Sequence, residues 1–288
     1  MTKTPILILG GRGKTGRHVA DRLAGSGHPI RLASRSSEPA FDWYDESTWA
    51  RAADGIDTAY LAPPYDPPGL AQAGRFVEQA AADGLRRVVL LSGRGVGGPG
   101  REFDVYRGQL DLEQAVQHSG VDWTIVRPAW FMQNFTEDPM MHGSVLAGEL
   151  RLCTGDGAEP WIDTEDVAEV AVAALLNDKH SGETYSLSGP RLLTLADVTA
   201  ELSAATGRSI RYVDLTPDEQ VTELVGLGAA QVEAEALRDL LIVIRHHLSE
   251  TLSDGVRQVL GREARDFTDW ARSAARAGAL GEPGRRSA

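Results

Sequence analysis

The chain has 288 residues, and its 29 Lys and Arg against 41 Asp and Glu give a formal charge of −12, which argues against a nucleic-acid surface because no basic patch is visible beyond Arg285-Arg286. Its one cysteine, Cys153, excludes an internal disulfide and points to a reducing compartment, and no residues with metal-ligand spacing accompany it. The length admits one large α/β domain or a nucleotide domain carrying a smaller lobe.

Thr4-Pro5 leads straight into Ile6-Leu7-Ile8-Leu9, an apolar run too short for a signal-peptide core or a membrane span, so a soluble, cytoplasmic protein with no membrane partner is expected. The run empties into Gly10-Gly11-Arg12-Gly13-Lys14-Thr15-Gly16. Gly11, Gly13 and Gly16 satisfy G-x-G-x-x-G, and Gly10, Gly13 and Gly16 satisfy G-x-x-G-x-x-G. Both spacings describe a dinucleotide site, where glycines let backbone approach a pyrophosphate seated on a helix N-terminus. A P-loop would need glycine where Ile8 stands. Val19, Ala20, Leu23 and Ala24 then recur at helical spacing, and Gly25-Ser26-Gly27 ends the helix.

The second strand, Ile30 to Ala33, runs into Ser34-Arg35-Ser36-Ser37 rather than into a carboxylate that would bind a ribose 2′-hydroxyl. Arg35, with Arg12, offers guanidinium groups suited to a 2′-phosphate, and Ser34 and Ser36 add hydrogen bonds, so NADPH is the expected cofactor. Glu38 lies close enough to keep NADH open as the weaker choice. Phe41 to Trp49 occupies the place where a third strand runs into a short helix, with Trp49 and Ala53 under the sheet. Thr58 to Ala62 reads as a strand stopped by Pro63-Pro64 where a ribose would pass.

A helix from about Leu70 to Asp83 precedes the buried strand Arg87 to Ser92, and Ser92-Gly93-Arg94 opens a loop at its carboxyl end, the ligand edge of a doubly wound sheet. Glu102 to about Gln117 is helical, Val121 to Val126 is a further buried strand, and Arg127-Pro128-Ala129-Trp130-Phe131-Met132-Gln133-Asn134-Phe135 follows. Val145 to Cys153 reads as a hairpin, Asp163 to Leu176 as a helix, Thr184 to Leu187 as a strand, and Leu195 to Thr206 as a helix capped by Thr194. Ile210 to Val213 is a strand candidate, and Thr216-Pro217-Asp218-Glu219 starts another helix. Leu237, Leu240, Leu241 and Ile244 form a stripe within a helix from about Ala229 to Leu248, expected as a lid over the ligand edge. The fold class expected is α/β: a Rossmann-type doubly wound parallel sheet over residues 1–135, and a smaller, mostly helical substrate lobe over 136–288 interleaved with the last strand of the sheet near 183–188.

With the glycine loop, the Ser34-Arg35 turn and Trp123 to Phe135 read together, the chain resembles the NmrA-like branch of the atypical short-chain dehydrogenase/reductase superfamily over nearly its full length. Trp161-Ile162-Asp163-Thr164-Glu165-Asp166-Val167-Ala168 and Tyr185-Ser186-Leu187-Ser188-Gly189-Pro190 support the match. Gly10 to Thr15, Ala33 to Ser37 and Phe41-Asp42-Trp43 are more narrowly similar to the ergot-alkaloid-type reductases, the festuclavine and agroclavine dehydrogenase group. That resemblance implies NADPH-dependent reduction of an iminium in a polycyclic amine.

Classical members of the superfamily carry Tyr-x-x-x-Lys, in which lysine lowers the tyrosine pKa for proton delivery to a carbonyl. Here Tyr106 stands on the appropriate helix, but Leu110 occupies the lysine position and no lysine lies between Lys14 and Lys179. A cationic iminium makes that lack tolerable, because hydride addition to carbon gives a neutral amine without an obligatory proton donor. The expected site therefore has Tyr106 as the candidate catalytic residue and Trp130, Phe131 and Phe135 as substrate wall. Its cofactor residues are Gly10 to Gly16, Ser34, Arg35, Ser36, Ala62, Pro63, Pro64, Ser92, Gly93, Arg94 and Pro128. Asp163 or Asp166 is a distant electrostatic option, Glu113 is expected to be structural, Cys153 to pack, and His246-His247 to be exposed. A small-molecule substrate and a monomer or homodimer complete the expectation, and the competing readings are a catalytically silent redox sensor and a quinone or nitro-compound reductase.

Overall fold

Four consecutive fully or nearly buried side chains make β1 (Ile6–Leu9) a strand covered on both faces. The computed structural model describes residues 4–99 and 106–281. After α1 (Gly16–Gly25), β2 (Ile30–Ala33) pairs parallel to one side of β1. After α2 (Trp49–Ala53), β3 (Thr58–Leu61) pairs to the other side. The chain then builds outward in one direction: α3 (Pro67–Ala82), β4 (Arg87–Leu91), α4 (Arg107–His118) and β5 (Asp122–Pro128). Two short helices, α5 (Asn134–Glu137) and α6 (Pro139–Ala147), and two short strands, β6 (Glu149–Leu152) and β7 (Ala158–Glu159), lead to α7 (Thr164–Leu176) and β8 (Glu183–Leu187). With β8 beside β5 the order is β2-β1-β3-β4-β5-β8, all parallel. The strand order reverses at β1, so the carboxyl ends of β1 and β3 flank the crevice in which doubly wound sheets bind ligands.

Alternation along each strand divides the core in two. Leu7, Leu9, Ala59, Leu61, Val88 and Leu90 face α3 and α4, joined there by Phe76 and Leu112. Ile6, Ile8, Tyr60, Val89 and Leu91 face α1 and α7 on the other side, with Val19, Leu23, Val167 and Ala171.

The remaining chain is β9 (Leu193–Thr194), α8 (Leu195–Thr206), β10 (Arg211–Asp214), α9 (Pro217–Gly226), α10 (Gln231–Arg245), α11 (Gly255–Leu260) and α12 (Phe267–Arg276). Much of it gathers with α6 and β6 around a second apolar cluster containing Met132, Leu150, Trp161, Leu202, Leu241 and Phe267. Thr194 and Asp197 form a capping box on α8, as do Thr216 and Glu219 on α9, whose Pro217 sits in the first turn. The segment before α12 is tied to the sheet helices by charge: Asp166, fully buried on α7, pairs with Arg262 and Arg265, and Glu169 one turn on pairs with both and with Arg22 of α1.

Three sequence expectations are corrected. The stretch around Phe41 is not a third strand; its ladder reduces to one isolated bridge between Asp42 and Asp45. Local bonds claim the backbone there: Trp49 Nε1 donates to the Asp42 carbonyl at 2.8 Å, and the Asp45 carboxylate accepts from Ser47 N. Phe41 and Trp49 pack edge-on against Phe76, so the aromatics serve the core and β2 is left as the sheet edge. Val145 to Cys153 is not a hairpin, since Val145 belongs to α6 and β6 pairs parallel with the distant β10. The α4 helix begins at Arg107, so Tyr106 caps it rather than lying within it; residues 102–105 of the expected helix fall outside the described residues.

Candidate active site

The loop after β1 folds back on itself. Gly13 N donates to the Gly10 carbonyl at 2.9 Å, and Gly10 adopts φ +80°, with room for no side chain because an added Cβ would sit 2.7 Å from the Ala62 carbonyl oxygen. Gly16 starts α1 directly beneath the loop, where a Cβ would overlap the Gly10 carbonyl oxygen. Thr15 is buried and its hydroxyl bonds Tyr60 Oη at 2.8 Å, pinning the helix start to β3. The result is a loop of backbone closed tightly onto a helix N-terminus, whose free amides and dipole favour an anion. Lys14 reaches from this loop to α5 and the start of α6, donating to Asn134 Oδ1 at 2.8 Å and lying 3.9 Å from Asp138.

At the end of β2, Arg12 Nη1 donates to Ser36 Oγ at 2.8 Å, and Ser37 Oγ accepts from Ser34 N and donates to the Ser34 and Pro39 carbonyls. Arg12 and the exposed Arg35 thus bring guanidinium groups to a row of hydroxyls at this turn. Glu38, the residue that kept a ribose-diol partner open, is exposed and ion-paired with Arg51.

A cavity of ≈ 890 Å³ runs from this turn, past the glycine loop, to α10. Of the residues singled out in the sequence, Gly10 to Thr15, Ser34, Ala62, Pro63, Ser92, Gly93, Arg94, Tyr106, Pro128, Trp130 and Phe131 line it. Gly16, Arg35, Ser36 and Pro64 do not form its wall: Gly16 lies under the loop, Arg35 and Ser36 are exposed at the rim, and Pro64 backs onto Gly69. Phe135 is a correction. It is fully buried and its ring meets Trp161 at 4.8 Å and Phe267 at 5.7 Å, so it belongs to the second core and does not reach the cavity. Asp163 caps α7 and accepts from Gln133 Nε2, and Asp166 is consumed by its arginines; neither lines the cavity. Burial pushes the Cys153 thiol up to about 11, which leaves it inert at neutral pH.

The end opposite the turn is apolar and aromatic. Tyr106, Trp130 and Phe131 share this lining with Leu237, Leu240 and Val243 of α10. Arg94 fastens the chain beyond α10, donating to the carbonyls of Ser249 and Thr251. The Tyr106 phenol is pushed up to about 12, first by burial and then by the nearby Glu159, with Arg94 opposing. Leu110 is exposed, whereas Gln109 turns toward the cavity and Glu113 lies beneath it, accepting from Ser92 Oγ and forming a bidentate pair with Arg127. Tyr106 and Gln109 thus line the cavity from the start of α4 with Glu113 beneath, and Arg94 does not outweigh the burial that raises the phenol pKa.

One lining residue carried no sequence signal. Glu159, on β7, is 2% exposed; Oε1 accepts from Trp130 N at 3.2 Å and Oε2 has no hydrogen-bond partner among the described residues. Only its setting, Ala158-Glu159-Pro160-Trp161, an acid within an otherwise apolar stretch, could have flagged it.

A family model described as NAD(P)H-binding matches residues 10–178. The chain belongs to the NAD(P)H-binding family. Within the family's relatives, a (4-alkanoyl-5-oxo-2,5-dihydrofuran-3-yl)methyl phosphate reductase of Streptomyces griseus is 36% identical over 92% of this chain and 96% of that protein. An agroclavine dehydrogenase of Claviceps fusiformis is 32% identical over 92% and 95%, in keeping with the resemblance read from the glycine loop. NmrA, a negative transcriptional regulator solved with NAD, shares the fold with TM-score 0.72 at 17% identity, covering 96% of this chain and 97% of that one. These relatives make the chain one of a family of NAD(P)H-dependent oxidoreductases. No helix among the described residues is long and apolar enough to cross a membrane.

Proposed function

We propose that this protein is an NADPH-dependent reductase of a small, mostly apolar acceptor, with a cyclic iminium as the acceptor class, acting in the cytoplasm as a monomer or homodimer. The observation that carries this reading is the division of one cavity into a glycine-and-hydroxyl end and an aromatic end lined by α10. In it, the backbone of Gly10 to Gly16 with Lys14 and Thr15 would hold a pyrophosphate, and Arg12, Ser34 and Ser36, with Arg35 at the rim, would hold a 2′-phosphate. Ala62, Pro63, Ser92 and Pro128 line the path toward the aromatic end. When bound, the reduced nicotinamide supplies a hydride. Trp130, Phe131 and the α10 leucines exclude water and hold an apolar acceptor, so rate comes from placement rather than from a strong acid or base.

Arg12→Ala is expected to weaken NADPH relative to NADH by about 1–3 kcal/mol, since a charge-assisted contact is lost from one cofactor only. Titration of both nucleotides reads this, and equal weakening of the two would remove the 2′-phosphate assignment.

Tyr106 keeps its proton across the neutral range and is the group placed to give one when the acceptor is neutral, such as a quinone. Tyr106→Phe is expected to slow reduction of a neutral acceptor by about tenfold or more and to slow a cationic one far less; turnover of a quinone at the unaltered rate would sink Tyr106 as proton donor. The function itself is tested by NADPH oxidation over a panel of cyclic iminium salts, quinones, nitro-compounds and enones, with nucleotide affinity measured in parallel. Tight NADPH binding with no oxidation on any acceptor would replace the reductase with a redox-sensing binder.

A further inference from the structure

Among the described residues, Glu159 is the one buried carboxylic acid lining the cavity, and the reduction proposed above does not employ it. The other acidic lining residue among them, Asp138, is committed: it accepts from Met140 N and Met141 N at the start of α6 and faces Lys14. Glu159 has no such engagement. The Trp130 amide holds Oε1 in place, and β7 is kept in register by the antiparallel pairing of Glu159 with Leu193. Oε2 is buried and has no hydrogen-bond partner among the described residues; the Ser249 hydroxyl beside the carboxyl donates instead to the Ala158 carbonyl at 3.3 Å. A buried carboxyl oxygen without a partner is destabilising by about 1–3 kcal/mol, and folded proteins rarely keep one unless something else completes it. The neighbouring cavity wall is made of Trp130, Phe131 and Tyr106, rings whose faces attract a cation. Arg94, the nearest basic side chain acting on Glu159, directs its guanidinium into the carbonyls of Ser249 and Thr251 and makes no ion pair with the carboxyl.

We propose that Glu159 is the counter-ion that selects a positively charged acceptor, its carboxylate meeting the cationic nitrogen of an iminium substrate, or of the amine product, against the ring of Trp130. Aromatic faces beside a single carboxylate form a site for an organic cation: the rings accept its apolar, charge-bearing periphery, and the carboxylate supplies charge complementarity. A neutral acceptor of the same shape would leave Oε2 unpartnered and the carboxyl buried in an apolar wall, so the site discriminates by charge as well as by shape. Burial holds the Glu159 carboxyl above the usual carboxylate range, with Arg94, the Ser249 hydroxyl and the Trp130 amide opposing, and a cation bound beside it would favour the ionised form. The proposal rests on the iminium reading above and names the residue that would enforce it.

The test separates recognition from turnover. Calorimetric titration of the intact protein, saturated with NADP⁺, with N-methyltetrahydroisoquinoline, an ammonium at neutral pH, and with the neutral methyltetralin as shape control gives the preference for the cation. Glu159→Gln, matched in shape, is expected to cut that preference by about tenfold or more, with Glu159→Asp falling between; thermal unfolding of each variant confirms that it is folded. A preference unchanged in folded Glu159→Gln would overturn the proposal. So would slower quinone reduction in Glu159→Gln with unchanged amine affinity, which would make the residue a proton donor instead. If no acceptor of the panel oxidises NADPH while the Gln variant still loses its preference for the amine, the reductase reading fails and Glu159 as cation partner stands.

Discussion

Gly16→Val is expected to abolish useful dinucleotide binding, weakening NADPH and NADH alike by at least ~100-fold. The effect is steric and local. Gly16 is the first residue of α1, and any Cβ there would overlap the Gly10 carbonyl and approach the Gly11 Cα, so the loop must lift off the helix start. Lifting it breaks the Gly13 to Gly10 bond and separates the backbone amides from the helix N-terminus they extend. The fold does not depend on that loop, because α1 is held on the sheet through Val19, Ala20 and Leu23. Calorimetric nucleotide titration alongside far-ultraviolet circular dichroism checks both halves; a folded variant that binds NADPH within about threefold of the original would contradict the loop as the nucleotide site.

The second large effect concerns stability. Arg127→Ala removes the partner of Glu113, whose side chain is 1% exposed, and leaves a charge in a site with only the Ser92 hydroxyl to satisfy it. Breaking a buried pair from one side is expected to lower unfolding free energy by about 3–5 kcal/mol, a fall in Tm of about 5–8 °C for a chain of this size. Replacing both partners with apolar residues, Glu113→Leu with Arg127→Met, is expected to restore most of that loss, because the penalty lies in the unpaired carboxylate rather than in the missing bond. Denaturant unfolding of the single and double variants is the check. A single variant that loses less than about 1 kcal/mol would show that Glu113 finds another partner or takes up a proton at little expense.

The parts of the molecule that could be read from sequence are those where one local pattern fixes the outcome. Ile6 to Leu9 followed by glycines can only be a buried strand entering a tight loop, and the Leu237, Leu240, Leu241 and Ile244 stripe gave a helix with one wet and one buried side. The structure turns Leu237 and Leu240 to the cavity and Leu241 into the second core. Where partners come from far along the chain, sequence pattern was silent. The strand at 149–152 pairs with one at 211–214, which no local spacing announces, and a hairpin was the nearest local alternative. Phe135 shared its aromatic run with Trp130 and Phe131, yet it lies at the start of α5 and meets Trp161 and Phe267 from other elements. Phe41 and Trp43 looked like strand residues, but the Asp42 and Asp45 bonds turned the backbone away from the sheet. Glu159 belongs to no motif at all. Its meaning arises only when β7 places it behind Trp130, which is why the loop at the start of the chain revealed the cofactor class and the far end of the cavity had to be seen.

Hydride transfer from NADPH to an iminium carbon is tested most sharply by an isotope experiment. NADPH deuterated at its transferable position is incubated with the protein and an N-methyldihydroisoquinolinium salt, and the product amine is examined by mass spectrometry. The expected product is an amine carrying one deuterium at the former iminium carbon, formed in step with NADPH oxidation and lost in the Gly16→Val variant. An unlabelled product, or no amine despite saturating NADPH, would contradict that transfer.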